Sequence, residues 1–172
     1  MSGEAVTVAF ISDSHGAQAR LDQFLTRLEQ LQITPDRIFH LGDFIIDGQY
    51  VASESGIHTI CVKGNCDMWT AGRDYAIETI HGRIIFAVHG DQYNVKREQD
   101  ALISAALYRD ASLCAFGHTH QRAFFQEGEC LFLNPGSLNQ SRGEEPSFAI
   151  VTIQPDGAIE VVFYPLFPPD TP

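Results

Sequence analysis

An α/β fold is predicted by three features of this 172-residue chain. Short apolar runs alternate with helical stripes over its first third. Paired apolar runs closed by turn residues fill most of the remainder. The apolar runs end repeatedly in Asp, Asn or His, and functional loops of βαβ units gather at the C-terminal edge of a parallel sheet. With 44% apolar and 19% charged residues the chain has ordinary globular composition, and its length suits one domain over 1–172 with its own core.

The elements follow in order. Val6–Ile11 is a buried-strand run that ends in Ser12-Asp13-Ser14-His15-Gly16. Over 17–31, Leu21, Phe24, Leu25, Leu28 and Leu31 form a helical stripe, and Pro35 closes the unit. A second strand over 37–41 exits through Gly42-Asp43. Asp47-Gly48 reads as a turn, 49–55 as a short helix and 57–62 as a third strand leading to Gly64-Asn65-Cys66-Asp67. Tyr75–Ile80 and Arg83–Val88 flank His81-Gly82 as a hairpin, and the second of them ends in His89-Gly90-Asp91. An amphipathic helix is expected over 97–108 and a strand over 113–116. Strands at 122–125 and 130–133 bracket Glu127-Gly128-Glu129, before a rigid polar loop, Asn134-Pro135-Gly136-Ser137. Strands at 148–153 and 159–164 close the chain over Pro155-Asp156-Gly157. A proline-rich tail from about residue 165 is expected to fray.

The formal net charge of −11 argues against binding nucleic-acid backbones, which requires clustered Lys and Arg. The N-terminus lacks a basic segment followed by an apolar one, so no secretory leader is expected, and no apolar run is long enough to cross a bilayer. Cys61, Cys66, Cys114 and Cys130 form no CxxC pair; reduced thiols in a cytoplasmic protein are the expectation. A homo-oligomer is compatible with the sequence.

The chemistry concentrates in Gly117-His118-Thr119-His120, just past a strand. On an extended backbone residues i and i+2 point to one side, so both imidazoles can face one pocket. Four other strand ends supply Asp13 and His15, Asp43, Asn65, and His89. Steps of 30 (13 to 43), 22 (43 to 65), 24 (65 to 89) and 29 (89 to 118) residues let each loop follow its own strand to a common edge. Seven oxygen and nitrogen donors exceed what one tetrahedral ion takes. They suit two ions that share a carboxylate.

Asp-x-His, Gly-Asp, Gly-Asn, His-Gly and Gly-His-x-His, in that order, resemble the calcineurin-like metallophosphoesterase superfamily. Gly-Asn-Cys-Asp, Gly-His-Thr-His and Asn-Pro-Gly-Ser are similar to its small bacterial and archaeal phosphodiesterase branch, from Val6 to about Arg142. The resemblance implies a four-layer sandwich of two facing mixed β-sheets flanked by helices. It implies two divalent transition-metal ions, Mn first, with Fe, Ni or Zn also suited. Asp13, His15, Asp43 and His120 would hold one, and Asp43, Asn65, His89 and His118 the other, with Asp43 bridging. Asp43, Asn65 and His89 are also assigned to catalysis. A metal-bridging hydroxide attacking phosphorus in line with the leaving alkoxide is the implied reaction, on a small phosphodiester.

Two divalent ions outweigh Asp13 and Asp43 and would draw a phosphate anion to an acidic protein, but charge does not select diester over monoester. The diester preference comes from the resemblance. Alternatives are a phosphatase acting on a small phosphomonoester or nucleotide, and a metal-binding scaffold without catalysis, as among relatives such as the retromer-type scaffold subunit that have lost ligands and serve as binding platforms. Seven filled positions favour an enzyme. Cys66 stands where the wider superfamily often has a histidine that protonates the leaving group, so activated aryl diesters are expected to be better substrates than alkyl ones. His40, His58, His81 and Lys63 are assigned to structure or surface, Arg142 to holding its loop, and Trp69 and Tyr93 to packing.

Overall fold

The computed structural model describes residues 3–139 and 142–168. The strands are β1 (Val6–Ile11), β2 (Arg37–His40), β3 (Thr59–Cys61), β4 (Tyr75–Ile80), β5 (Arg83–Val88), β6 (Leu113–Ala115), β7 (Arg122–Glu127), β8 (Cys130–Pro135), β9 (Ser147–Ile153) and β10 (Ile159–Pro165). The helices are α1 (Gln18–Gln30), α2 (Ile45–Ser55) and α3 (Asp100–Leu107). One sheet has the order β10-β9-β1-β2-β3, the other β4-β5-β6-β8-β7. Both are mixed. β1, β2 and β3 run parallel, as do β5, β6 and β8, while β9, β10, β4 and β7 pair antiparallel.

Strand alternation builds the layers. Val8 and Phe10 of β1 face Ile85 and Ala87 of β5 in a fully buried core between the sheets. Ala9 and Ile11 point the other way, onto Leu21, Phe24 and Leu28 of α1 and Val51 of α2. Phe86 and Val88 likewise turn outward onto Leu102 and Ala106 of α3. Both faces of the central strands are covered, so they read as continuous apolar runs. The result is the expected four-layer sandwich. Its two parallel triplets send the loops after β1, β2, β3, β5, β6 and β8 toward one edge.

Several expectations change. α2 starts four residues before the predicted 49, and Asp47-Gly48 lies inside it. Gly48 is there for close approach, not for a turn: a Cβ would fall 2.4 Å from Cys61 Sγ and 3.0 Å from His40 Cβ. Asp47 accepts a hydrogen bond from the Gly16 N–H at 2.8 Å, tying the helix start to the loop after β1. The predicted strand 57–62 and helix 97–108 shorten to Thr59–Cys61 and Asp100–Leu107. The tail does not fray from 165: Pro165 pairs with Ser147 at the end of an edge strand, where a missing N–H is tolerated. Leu166 is fully buried and donates its N–H to Pro146 O at 2.7 Å. Phe167 lies 4.7 Å beneath the Arg20 guanidinium. Residues 169–172 lie outside the described residues.

Among the described residues no helix is long and apolar enough to cross a membrane. All four cysteines are free thiols.

Candidate metal centre

At the common edge, Asp13, His15, Asp43 and His120 bring one donor atom each within 4.8 Å of one another, and Asp43, His89 and His118 do the same. Asp43 belongs to both groups. His15 Nε2 is 3.5 Å from Asp43 Oδ2 and 3.4 Å from His120 Nε2. His120 Nε2 is 3.2 Å from Asp13 Oδ1. On the other side, His89 Nε2 is 3.5 Å from Asp43 Oδ1 and 3.1 Å from His118 Nδ1.

The loops that carry these groups are conformationally unusual. Asp13, His15, Asp43, His118 and His120 all have positive φ, between 51° and 68°. Non-glycine residues rarely adopt that region, and Asp, Asn and His tolerate it best. This corrects the extended geometry expected for the His-x-His pair. β6 ends at Ala115, and left-handed backbone at both histidines aims their rings into the site. Phe44, at φ 72°, continues the left-handed run after Asp43, and its half-exposed ring packs edge-on against His15 with centroids 5.9 Å apart.

Several contacts fix protonation and orientation. The carbonyl of Leu41 can only accept, so His89 Nδ1, 2.7 Å away, carries the proton. His89 Nε2 then presents its lone pair to Asp43 and His118, the arrangement in which a metal-binding imidazole is held. Asp13 Oδ2 accepts from the Ser12 hydroxyl at 2.7 Å and the His118 N–H at 3.0 Å. Burial alone would raise the Asp13 pKa; the His120 contact, the neighbouring His89 ring and the Ser12 hydroxyl outweigh it and hold the carboxyl below the usual range. Asp13 Oδ1 is buried without a hydrogen bond, facing His120 Nε2 and, at 4.0 Å, His89 Nε2. Burial, then the neighbouring His89 ring and the charge of Lys96, push the His118 pKa down to about 4, so this imidazole is neutral at pH 7. Two carboxylates, one of them with an orphaned oxygen, and four imidazoles form a donor set that fits divalent transition-metal cations.

Asn65 is the expected residue that the geometry ties least closely to the others. It is exposed, and its side-chain amide lies 3.6 Å from Cys66 Sγ. Its neighbour Cys66 donates its N–H to Asp43 Oδ1 at 3.0 Å, which brings the 64–67 loop against the shared carboxylate. Burial and the Asp43 charge push the Cys66 thiol up to about 11, so it keeps its proton at neutral pH.

The sequence singled out the segments that support the site, and the structure shows the contacts they make. Asn134 donates to Gly117 O at 2.9 Å and Thr119 Oγ1 at 3.1 Å, while its own carbonyl accepts the Gly136 N–H at 3.0 Å. Ser137 Oγ donates to Asp13 O at 2.9 Å. The expected loop over 134–137 is in part strand, because Asn134 and Pro135 pair with Ala123 and Arg122 at the end of β8, and the Asn134–Ser137 segment is thus a clamp between the first and fifth ligand loops. Gly117 admits that closeness: a Cβ there would lie 2.0 Å from Ser12 Oγ. Asp67, buried, accepts from the Gly64 and Ile45 N–H groups at 2.9 and 2.8 Å and ties the loop after β3 to α2. His40 is fully buried, and burial pushes its pKa down to about 4. It accepts from the Gly42 N–H at 3.4 Å through Nδ1, so Nε2 donates to Ser14 Oγ at 2.8 Å.

The remaining candidates fall outside the centre. His58 and His81 are exposed, and Lys63 pairs with Asp74 at 3.1 Å. Trp69 is on the surface, 95% exposed, and Tyr93 packs edge-on against Phe86. Arg142 holds its loop through main-chain atoms, its N–H to His120 O at 3.4 Å and its O to Gln121 Nε2 at 3.3 Å.

A probable metallophosphoesterase of Methanothermobacter thermautotrophicus is 29% identical over 123 residues, 67% of this chain and 68% of its own. One from Mycoplasma genitalium is 26% identical over 165 residues, covering 92% and 94% of the two chains. The crystal structure of a predicted phosphoesterase from Streptococcus pneumoniae superposes with a TM-score of 0.80 at 28% identity, over 96% of this chain and 92% of that one. The family profile of the calcineurin-like phosphoesterase superfamily domain matches residues 6–156. With that match over most of its length, this chain belongs to the calcineurin-like phosphoesterase superfamily.

Proposed function

We propose that the chain is a binuclear metal-dependent phosphodiesterase acting on a small phosphodiester. The observation that carries the reading is the double membership of Asp43: one carboxylate, one oxygen facing His15 and the other facing His89. Asp13, His15, Asp43 and His120 would hold one divalent cation, and Asp43, Asn65, His89 and His118 the second. Mn is the first expectation for both, with Fe, Ni or Zn also suited to this donor set. When bound, such a pair lowers the pKa of water from about 15.7 toward about 7 and stabilises charge on phosphoryl oxygens.

The chain's own part is preorganisation. The Leu41 carbonyl keeps His89 in the tautomer whose Nε2 can bind. Ser12 and the His118 N–H keep Asp13 ionised and fixed. The Asn134 and Ser137 contacts hold the His118–His120 loop and the Asp13 loop in register, so that little reorganisation accompanies catalysis. Cys66, protonated and weakly acidic, offers little help to an alkoxide leaving group.

The test is metal analysis of the reconstituted protein beside a hydrolysis panel of matched aryl and alkyl diesters and monoesters. The reading expects two ions per chain, activity lost on chelation, and diesters turned over faster than monoesters. Faster monoester turnover would make it a phosphatase. Two bound ions with neither substrate hydrolysed would make it a scaffold.

A further inference from the structure

We infer that a cleft beside the metal edge binds a second phosphoryl anion, and that substrates therefore carry a phosphate group in addition to the scissile diester. The inference rests on the phosphoesterase reading for its location and on charge for its content. The cleft has a volume of about 250 Å³ and is lined on its polar side by Lys96, Gln99, Gln121, Arg122 and Arg142.

Its composition is unusual for this molecule. The chain has 11 Lys and Arg against 22 Asp and Glu, yet among the described residues three of those cations line this one cleft and no carboxylate does. The larger cavity between α1 and α2 has Glu29 and Glu54 on its walls. The cavities around Arg83 and Arg73 each include at least one acidic residue. Arg122 is paired with Glu144 at 3.3 Å. Among the described residues the charged ends of Lys96 and Arg142 have neither an ion pair nor a hydrogen bond, whereas Arg37 and Lys63 are paired with carboxylates. Two unpaired cations, with the amides of Gln99 and Gln121, present donors and no ionised acceptor, the pattern that recognises a phosphate oxyanion.

The cleft is also joined to the catalytic edge. Thr119, on its wall, lies between His118 and His120 in the chain. The Arg142 N–H donates to His120 O at 3.4 Å, and Gln121 Nε2 donates to Arg142 O at 3.3 Å. Lys96 follows the turn that leaves His89. The 118–121 segment thus carries His118 and His120 of the metal centre and Thr119 and Gln121 of the cleft wall. In an acidic protein this is the place where a second negative charge on a substrate would be favoured.

The experiment uses the full chain loaded with Mn and two diesters, p-nitrophenyl propyl phosphate and p-nitrophenyl 3-phosphonopropyl phosphate. The phosphonate cannot itself be hydrolysed. Wild-type protein should prefer the phosphonate-bearing diester by about tenfold or more in kcat/KM, the scale of one or two charge-assisted hydrogen bonds. Lys96→Ala and Arg142→Ala should each reduce that preference while leaving the propyl diester within about twofold of wild type. Equal wild-type rates, or a preference that survives in both variants, would overturn the inference. Inorganic phosphate competing in a Lys96-dependent way without any phosphonate preference would also overturn it, because the cleft would then serve a free anion. If neither diester is hydrolysed, the phosphodiesterase reading fails by itself. Calorimetric binding of propane-1,3-diphosphonate against propylphosphonate then decides the cleft: tighter binding of the former that depends on Lys96 and Arg142 supports it, and equal binding rejects it.

Discussion

The inter-sheet core and the metal edge are made by the same strands and follow opposite rules. In the core, Val8, Phe10, Ile85 and Ala87 alternate on regular strands and bury apolar surface completely. Two residues beyond Ile11, the backbone turns left-handed at Asp13, and at His15 and Asp43 it does so again. There the chain buries two carboxylates, leaves one oxygen without a hydrogen bond, and sets imidazole nitrogens 3.1 and 3.4 Å apart. Such features destabilise a fold that lacks a ligand. The core supplies the stability, and the edge spends it on a geometry that only cations complete.

Substitutions can separate the two regions. The largest effect is expected at Asp43→Asn. Partners behind metal ligands already matter about 10–100-fold, so loss of the shared carboxylate should lower activity by more than about 100-fold and bound metal from two ions to at most one. Unchanged metal content by elemental analysis would refute the shared-ligand geometry. Phe10→Ala should do the reverse. Phe10 is fully buried and stacks on Phe39 with centroids 5.0 Å apart. Its truncation should lower unfolding free energy by about 3–5 kcal/mol and leave metal stoichiometry unchanged below the transition, as read by urea titration and metal analysis.

His40 lies between the two regions and gives a pH test. Its folded pKa is about 4, against 6.5 unfolded. The unfolded state therefore binds the extra proton between those values, so stability present above pH 6.5 falls as pH drops toward 4 and changes no further below it. The predicted loss is on the order of 3 kcal/mol in metal-free protein, and His40→Gln should flatten that slope in urea midpoints measured across the window. An equal slope in both proteins would assign the effect elsewhere. Asn134→Ala removes the clamp without removing a ligand. It should weaken metal affinity or kcat by about 10–100-fold, while an effect on stability alone would make the clamp purely structural. Trp69→Ala is the smallest: at 95% exposure it should shift stability by less than about 0.5 kcal/mol in thermal unfolding.

The fold was legible where side-chain period matched backbone period. Tyr75–Ile80 and Arg83–Val88 are strands with the predicted bounds, because apolar runs flanking His-Gly leave few alternatives. The expectation failed at Asp47-Gly48, where a turn signature sits inside α2. Glycine there answers to Cys61 and His40, which approach from other strands. The same limit applied to the tail: Leu166 is held by Pro146, 20 residues earlier in the chain (166 to 146).

For the site, residue types and their order along the chain pointed to Asp13, His15, Asp43, Asn65, His89, His118 and His120, because oxygen and nitrogen donors stand there just past strands that converge on one edge. The resemblance implied a division of these residues between two ions, and the tertiary structure supplied the distances between the side chains. It set His118 beside His89 and His120 beside His15 and Asp13, although the two histidines are two residues apart. Left-handed backbone at both positions, and an Asn134 clamp drawn from a different strand, produced that separation. The sequence determined which atoms could bind, because donor chemistry belongs to each residue. Distances, tautomers and the orphaned Asp13 oxygen belong to contacts between segments remote in the chain, so only folding could fix them.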